Sequence, residues 1–365
     1  MKVDRIKAVK IGIFDPYMDD LGGGEKYMVR IAQCLVRNHN VSIFWDRKKD
    51  LEELKERFQL NLSNIALTPN IFTKSTGLLK RLWESRKFDV IILLSDGSIP
   101  FLLSKKTFIH IQQPLPLRSL DIKTRFKISK INKFFCNSYY SKSYVDNSLS
   151  INSLVLYPPV EIKPKKIKKE NIILHVGRFR VRDVVTGIND YKKQGIIVGA
   201  FKKMVKKDLK DWRLVLAISV KDNDRKIFND FRKNAEDFPI EFLINKTNDE
   251  LWDIYSKAKI YWHASGFGED LTKYPEYAEH FGISTAEAMG AGAVPIVFNA
   301  GGQREIVVSG KNGFLWDSLG EMIEKTQLLI SDQNLWKEMS QQAIKKARDF
   351  TGDRFCEKLH KILDL

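Results

Sequence analysis

Apolar positions along the chain gather into short continuous runs, and amphipathic stretches separate one run from the next. Val9-Lys10-Ile11-Gly12-Ile13-Phe14 reads as a buried strand, Glu25 to Arg37 as an amphipathic helix, and Val41 to Trp45 as the following strand. That is a βαβ unit. Further strands are expected at Asp89 to Ser95, Thr107 to Ile111, Lys133 to Asn137 and Leu154 to Tyr157, with helical or loop stretches between them. A run rich in proline and lysine, Pro158 to Lys169, then suits a linker. After it the alternation restarts: strands at Ile172 to Val176, Trp212 to Ile218, Glu241 to Ile244, Ile260 to His263 and Val294 to Val297, and helices near Ile196 to Val205, Asp224 to Asn234 and Asn248 to Ala258. The pattern predicts an α/β protein with two Rossmann-like, doubly wound, mostly parallel domains: residues 1–160, a linker at 161–170, and residues 171–345. The remainder, 346–365, reads as helical. Short-period repeats and extended low-complexity tracts are absent.

Composition adds to this in four places. The chain has 365 residues, too many for one ordinary core, and its 43% hydrophobic and 11% aromatic content fits folded domains rather than a disordered tail. No apolar run approaches the roughly 18 residues that span a bilayer, and the opening MKVDRIKAVKIGIFD passes straight into the first strand instead of forming a signal peptide. Cys34, Cys136 and Cys356 lie far apart without metal-ligand spacing, so neither a disulfide framework nor a zinc site is indicated, and a reducing cytoplasm is the simplest compartment. A formal charge of +16 calls for anionic company: nucleic acid, a membrane surface or phosphorylated substrates. Helix-turn-helix, zinc and RNP-type signatures are missing, so nucleic acid is not the expected partner.

Ligands of doubly wound folds sit at the carboxyl ends of strands, and three stretches there carry chemistry. In Asp15 to Glu25 the consecutive Gly22, Gly23 and Gly24 can bare backbone N–H groups beside a phosphate, or can simply form a turn. Dinucleotide-type Gly-x-Gly-x-x-Gly and P-loop spacings do not occur. In Gly177-Arg178-Phe179-Arg180, Arg178 follows a strand directly, where a guanidinium can grip a diphosphate bidentately; Lys192 and Lys193 can add charge or be solvated surface. In EHFGISTAEAMGAGAVPIV, residues 279–297, Glu279 and Glu287 flank a Phe-Gly step. Ser284-Thr285-Ala286-Glu287 fits a capping box, which would make Glu287 structural. That reading leaves Glu279 and His280-Phe281-Gly282 unexplained, and a glycine ahead of a helix lets the backbone approach a ligand. Asp222-Asn223-Asp224, the one Asp-x-Asp, falls at an expected surface turn rather than a metal site.

Taken together, GGGE at 22–25, VGRF at 176–179, KKQGIIVGAF at 192–201 and EHFGISTAEAMGAGAVPIVFNAGGQREIV at 279–307 resemble glycosyltransferase family 4. The most specific element is Glu279 and Glu287 with seven residues between them, followed by Gly301 to Glu305; EHFGI is similar to lipid-linked-oligosaccharide mannosyltransferases. The resemblance implies retaining enzymes of GT-B architecture, two Rossmann-like domains facing across a cleft, with the terminal helix crossing back to the first domain. It implies that Gly22, Gly23 and Gly24 cradle the donor diphosphate and that Arg178 with Lys192 or Lys193 holds it from the other side. Glu279 would contact the donor sugar, Glu287 the ribose hydroxyls, and the backbone around Phe281, Gly282, Ile283 and Ser284 phosphate or sugar, while His110 would lie over the transferred sugar. The donor would be a GDP- or UDP-hexose and the acceptor a glycan or lipid-linked molecule, with no cofactor and no metal.

Two departures stand out: 181–191 is longer than the usual family turn, and Gly266 to Ala278 is an insertion beside the donor site. Lys105, Lys106, Arg118, Lys123, Arg125, Lys127, Lys130 and Lys133 offer a surface for anionic lipid head groups or a lipid-linked phosphate, which would put a cytoplasmic protein at the inner face of the membrane. A solvated basic face is the plainer reading. The rival functions are a nucleotide-sugar epimerase of the same fold and a non-catalytic nucleotide-sugar-binding protein.

Overall fold

Parallel strands covered on both faces need apolar side chains on both, and the first sheet shows how this sequence meets that demand. Its strands are β1 (Lys10–Phe14), β2 (Asn40–Phe44), β3 (Ala66–Thr68), β4 (Val90–Leu94), β5 (Lys106–Ile111), β6 (Lys133–Cys136) and β7 (Leu154–Val155). Along β4, Val90, Ile92 and Leu94 join one core cluster while Ile91 and Leu93 join another, the two-residue alternation of a strand. The computed structural model describes residues 8–20, 23–58, 60–179 and 190–365. Gly22 and most of the long turn at 181–191 therefore lie outside the described residues.

The chain forms two compact units, residues 1–159 with 352–365, and residues 160–351. In the first, all strands are parallel in the order β3-β2-β1-β4-β5-β6-β7, so the winding reverses between β1 and β4. The second unit holds β8 (Glu170–Phe179), β9 (Arg213–Val220), β10 (Ile240–Ile244), β11 (Ala258–His263), β12 (Val294–Phe298) and β13 (Phe314–Trp316), again parallel, in the order β10-β9-β8-β11-β12-β13. Its winding reverses between β8 and β11. At such switch points the loops leave in opposite directions and open a crevice.

The proline- and lysine-rich run is pinned to the second unit. The Lys169 ammonium donates to the carbonyls of Tyr255 (3.3 Å), Ala258 (2.8 Å) and Ala291 (2.6 Å), closing the carboxyl ends of two helices with one cation. Gly290 has no Cβ because Ile162 of the same run sits 3.1 Å from where one would be.

One expectation is overturned here. Cys34, on the helix Gly23–Leu35, is disulfide-bonded to Cys356, on the terminal helix Gly352–Leu363, with 5.3 Å between their Cα atoms. They are 322 residues apart, and only the return of the last helix to the first unit brings them together, which spacing in sequence does not disclose. Cys136 remains free and buried. Titration of the unfolded, unreduced protein is expected to show one reactive thiol, rising to three with reductant. The reduced protein should be about 2–4 kcal/mol less stable. Three thiols without reductant would contradict the bond. No helix among the described residues is long and apolar enough to cross a membrane.

Candidate active site

The reversal between β8 and β11 collects the charged residues of the second unit. Arg178 is the penultimate residue of β8 and His263 the last of β11. Against His263 lies Glu279, whose Oε2 accepts from Lys192 Nζ at 2.6 Å and from His263 Nε2 at 3.0 Å. Burial alone would raise this carboxyl, but the ammonium and the imidazole overcome that and hold it well below the usual carboxylate range. Burial keeps His263 below its ordinary value against the pull of Glu279, so the ring is neutral and donates through Nε2, leaving buried Nδ1 with no hydrogen-bond partner among the described residues. Behind it His175, pushed down to about 3 by burial and by His263, bonds through Nδ1 to the carbonyl of Trp262 at 3.0 Å. The result is an anionic Glu279 fixed from two sides, with 18% of its side chain exposed.

The two adjacent lysines diverge. Lys192 goes to Glu279, whereas Lys193, in left-handed backbone conformation with φ 57°, pairs with Glu269 at 2.6 Å. Asp190 builds this turn: its carboxylate accepts from the backbone N–H of Lys192 at 3.0 Å and of Gly195 at 2.7 Å. The inserted loop is thereby tied at Glu269, and Phe267 anchors it against Phe298 and Trp316 in the core.

The capping box is not formed, which corrects the structural reading of Glu287. The helix Ile283–Gly290 begins two residues earlier than that box requires, and its N-cap is Gly282 at φ 110° with no side-chain cap. Ser284 is already inside the first turn, its hydroxyl 2.7 Å from that of Tyr261, and Glu287 instead accepts from the Tyr255 hydroxyl at 3.0 Å. The uncapped first-turn N–H groups present the positive end of the helix, an anion site in the chemistry of backbone alone. Phe281 is buried against Phe350 and anchors the turn. Gly302 N–H donates to the carbonyl of Glu279 at 2.8 Å, so the Gly301-Gly302 turn buttresses the Glu279–Gly282 backbone.

In the first unit, Gly23 and Gly24 open the helix Gly23–Leu35 at the carboxyl end of β1. Gly24 touches Gln112, whose Nε2 donates to its carbonyl at 3.3 Å, and a Cβ there would stand 2.6 Å from Gln112 Oε1. Asp15, wholly buried beside them in sequence, has its carboxyl pushed up to about 7 by burial and by Glu25.

His110 is the penultimate residue of β5, in the first unit. Its ring is fully buried, stacked between Tyr27 (4.1 Å) and Phe135 (4.7 Å), bonded to the Phe135 carbonyl and pushed down to about 3 by burial. Strand alternation turns it into the core with Phe108, and the next residue on that face is Gln112, beyond the end of β5. The Nε2 of His110 is buried and has no hydrogen-bond partner among the described residues. Sequence reasoning missed His263, which closes β11, Gln112, which follows β5, Asp190, which precedes the helix Gln194–Lys206, and Tyr255, which lies inside the helix Asn248–Lys257; a strand end or a helix start was the available signal for the first three, and Tyr255 carried none.

Residues 160–349, just over half the chain, match the family described as Glycosyl transferases group 1. Two curated relatives are named GDP-Man:Man(3)GlcNAc(2)-PP-Dol alpha-1,2-mannosyltransferase. The Dictyostelium discoideum protein is 34% identical over 40% of this chain and 27% of its own length, and the Homo sapiens protein 28% identical over 44% and 31%. The matched stretch thus spans under a third of those relatives. Among solved structures, a Rickettsia africae ESF-5 glycosyltransferase superposes with a TM-score of 0.74 at 14% identity, covering 98% of this chain and 99% of that one. Anabaena Alr3699/HepE, solved with UDP and glucose, gives 0.69 at 17% identity over the same shares. These structures share the fold, two Rossmann-like α/β domains of GT-B architecture. With the family match over residues 160–349, they establish that this chain belongs to the glycosyl transferases group 1 family.

Proposed function

We propose that this protein is a retaining glycosyltransferase that moves a hexose from a nucleoside-diphosphate sugar to a glycan or lipid-linked acceptor without a metal. The observation that carries the reading is the anionic Glu279, fixed by Lys192 and His263 at the β8/β11 switch point. A carboxylate held ionised there can accept hydrogen bonds from donor-sugar hydroxyls, while Arg178, Lys192 and the uncapped N–H groups of Ile283 and Ser284 meet the diphosphate. The leaving diphosphate gains negative charge in the transition state, and fixed cations and backbone dipoles stabilise it without reorganising. Glu287, braced by Tyr255, takes the ribose hydroxyls. No side chain in this group combines a nucleophile with a supporting base, which favours departure and attack on the same face of the sugar. Mannose and a lipid-linked acceptor are supported by the names of the Dictyostelium and human relatives, and a uridine nucleotide by the ligand of the Anabaena protein.

A thermal-shift and calorimetry panel of UDP, GDP, ADP and their hexose conjugates, first in EDTA and then with magnesium, tests the donor. One nucleotide diphosphate should stabilise the protein in EDTA; binding that requires magnesium, or no binding at all, contradicts the reading. Glu287→Gln should weaken that nucleotide by about 1–3 kcal/mol at unchanged melting temperature, since Gln still accepts from Tyr255. Unchanged affinity would return Glu287 to a structural role. An epimerase would instead consume donor with no acceptor present.

A further inference from the structure

Two short helices of the first unit leave apolar side chains in solvent. Leu78–Ser85 buries only Ser85 and exposes Leu79 at 83% and Trp83 at 66%, four residues apart on one face. Ile122–Ile128 buries no residue and exposes Ile122 at 86% and Phe126 at 54%, also four apart. Helices of this length are marginal in water, and the stability of a surface helix ordinarily comes from burying its apolar face. Among the described residues of the unit, nothing covers those faces.

The two helices border one cavity of about 590 Å³. Leu78 and Arg81 line it from one helix, Thr124 and Lys127 from the other, above a floor that includes Phe14, Phe72 and Phe101. Phe126 stacks on Phe101 at 5.9 Å, joining the exposed face to the cavity wall. Cations surround the apolar side chains: Lys80, Arg118, Lys123, Arg125 and Lys130 are exposed. The neighbouring acids are engaged locally, Glu84 with Lys87 at 2.7 Å and Asp121 as acceptor from the N–H of Thr124 at 2.8 Å. The basic surface read from sequence is thereby narrowed, because Lys105 pairs with Asp89 and Lys133 with Asp364.

We propose that this face seats the first unit on an anionic lipid bilayer. Leu79, Trp83, Ile122 and Phe126 enter the interfacial layer, and the surrounding Lys and Arg meet lipid phosphates. Exposed aliphatic and aromatic side chains set among unneutralised cations fit an anionic lipid surface, where each cation near the membrane adds attraction. A protein interface is instead depleted of lysine at its centre.

The test is co-sedimentation of the whole protein with phosphatidylcholine vesicles, with and without phosphatidylglycerol and with no donor present, so that its outcome is separate from the donor reading. Wild type should pellet only with anionic vesicles. L79E/I122E should lower that binding about tenfold or more, at unchanged melting temperature because both side chains are already in water. K123E/R125E should lower it comparably and flatten its salt dependence. Wild type remaining in the supernatant, or L79E/I122E binding as well as wild type, overturns the proposal. Self-association that L79E/I122E abolishes, with no vesicle binding, assigns the face to a second copy and also overturns it.

Discussion

Glu279→Gln is expected to lower hexose transfer by about 100- to 1,000-fold while the protein stays folded. Gln keeps the size of the side chain and one acceptor oxygen but removes the charge that Lys192 and His263 hold in place at 2.6 and 3.0 Å. With the carboxylate gone, Lys192 is left without its counter-ion in a site where its side chain is 26% exposed. A stability loss of about 1–3 kcal/mol follows, reduced from the deeply buried case by that exposure. Lys192→Met alone should lose both stability and transfer, since it frees Glu279 and removes a cation from the diphosphate. The double substitution separates the effects: E279Q/K192M should recover most of the stability and none of the activity, a coupling that a double-mutant cycle reads directly. Glu279→Gln retaining a tenth or more of wild-type transfer, under saturating donor, would remove Glu279 from the chemistry.

Gly302→Ala is expected to cost about 3 kcal/mol and most of the activity, although residue 302 carries no chemistry. A Cβ there would stand 2.5 Å from the Cα of Phe281 and closer still to the carbonyl oxygen of His280. Both are backbone atoms, so no side chain can rotate out of the way. The turn would retreat, the bond from Gly302 N–H to the Glu279 carbonyl would break, and the carboxylate would lose its position. Gly199→Ala is the matched control, since a Cβ at that helical position meets nothing within 4 Å and alanine favours the helix. Urea denaturation together with transfer rates checks both. Equal stability of Gly302→Ala and wild type would show that the turn does not buttress the Glu279 backbone.

The sheets were legible because parallel strands buried on both faces are written as apolar runs. Val90-Ile91-Ile92-Leu93-Leu94 can be little else. The three-residue strands Ala66–Thr68 and Phe314–Trp316 carry too few positions to stand out and are fixed by pairing with β2 and β12. Glu279 was legible by resemblance and by its place before a glycine. Its partner His263 was visible only as the end of a strand, because the contact depends on how β8 and β11 part. Ser284 and Glu287 had the spacing of a capping box, but Gly282 at φ 110° starts the helix first and makes it unnecessary. His110 had the right residue type at a strand's end, but the stacking of its ring between Tyr27 and Phe135 depends on strand alternation and on the packing of the helix Gly23–Leu35, which residue type does not disclose. Whether Lys192 or Lys193 faces the carboxylate could not be read from two identical neighbours; the left-handed backbone at Lys193 sends them apart.

The central claim, transfer with retention at the Glu279 site, is tested most directly by following the reaction of an α-linked nucleotide hexose with a lipid-linked acceptor by proton NMR in EDTA. The account predicts an α-linked product that appears in step with free nucleoside diphosphate, requires the acceptor, and is all but absent with Glu279→Gln. A β-linked product, or donor consumed equally well without acceptor, would contradict it.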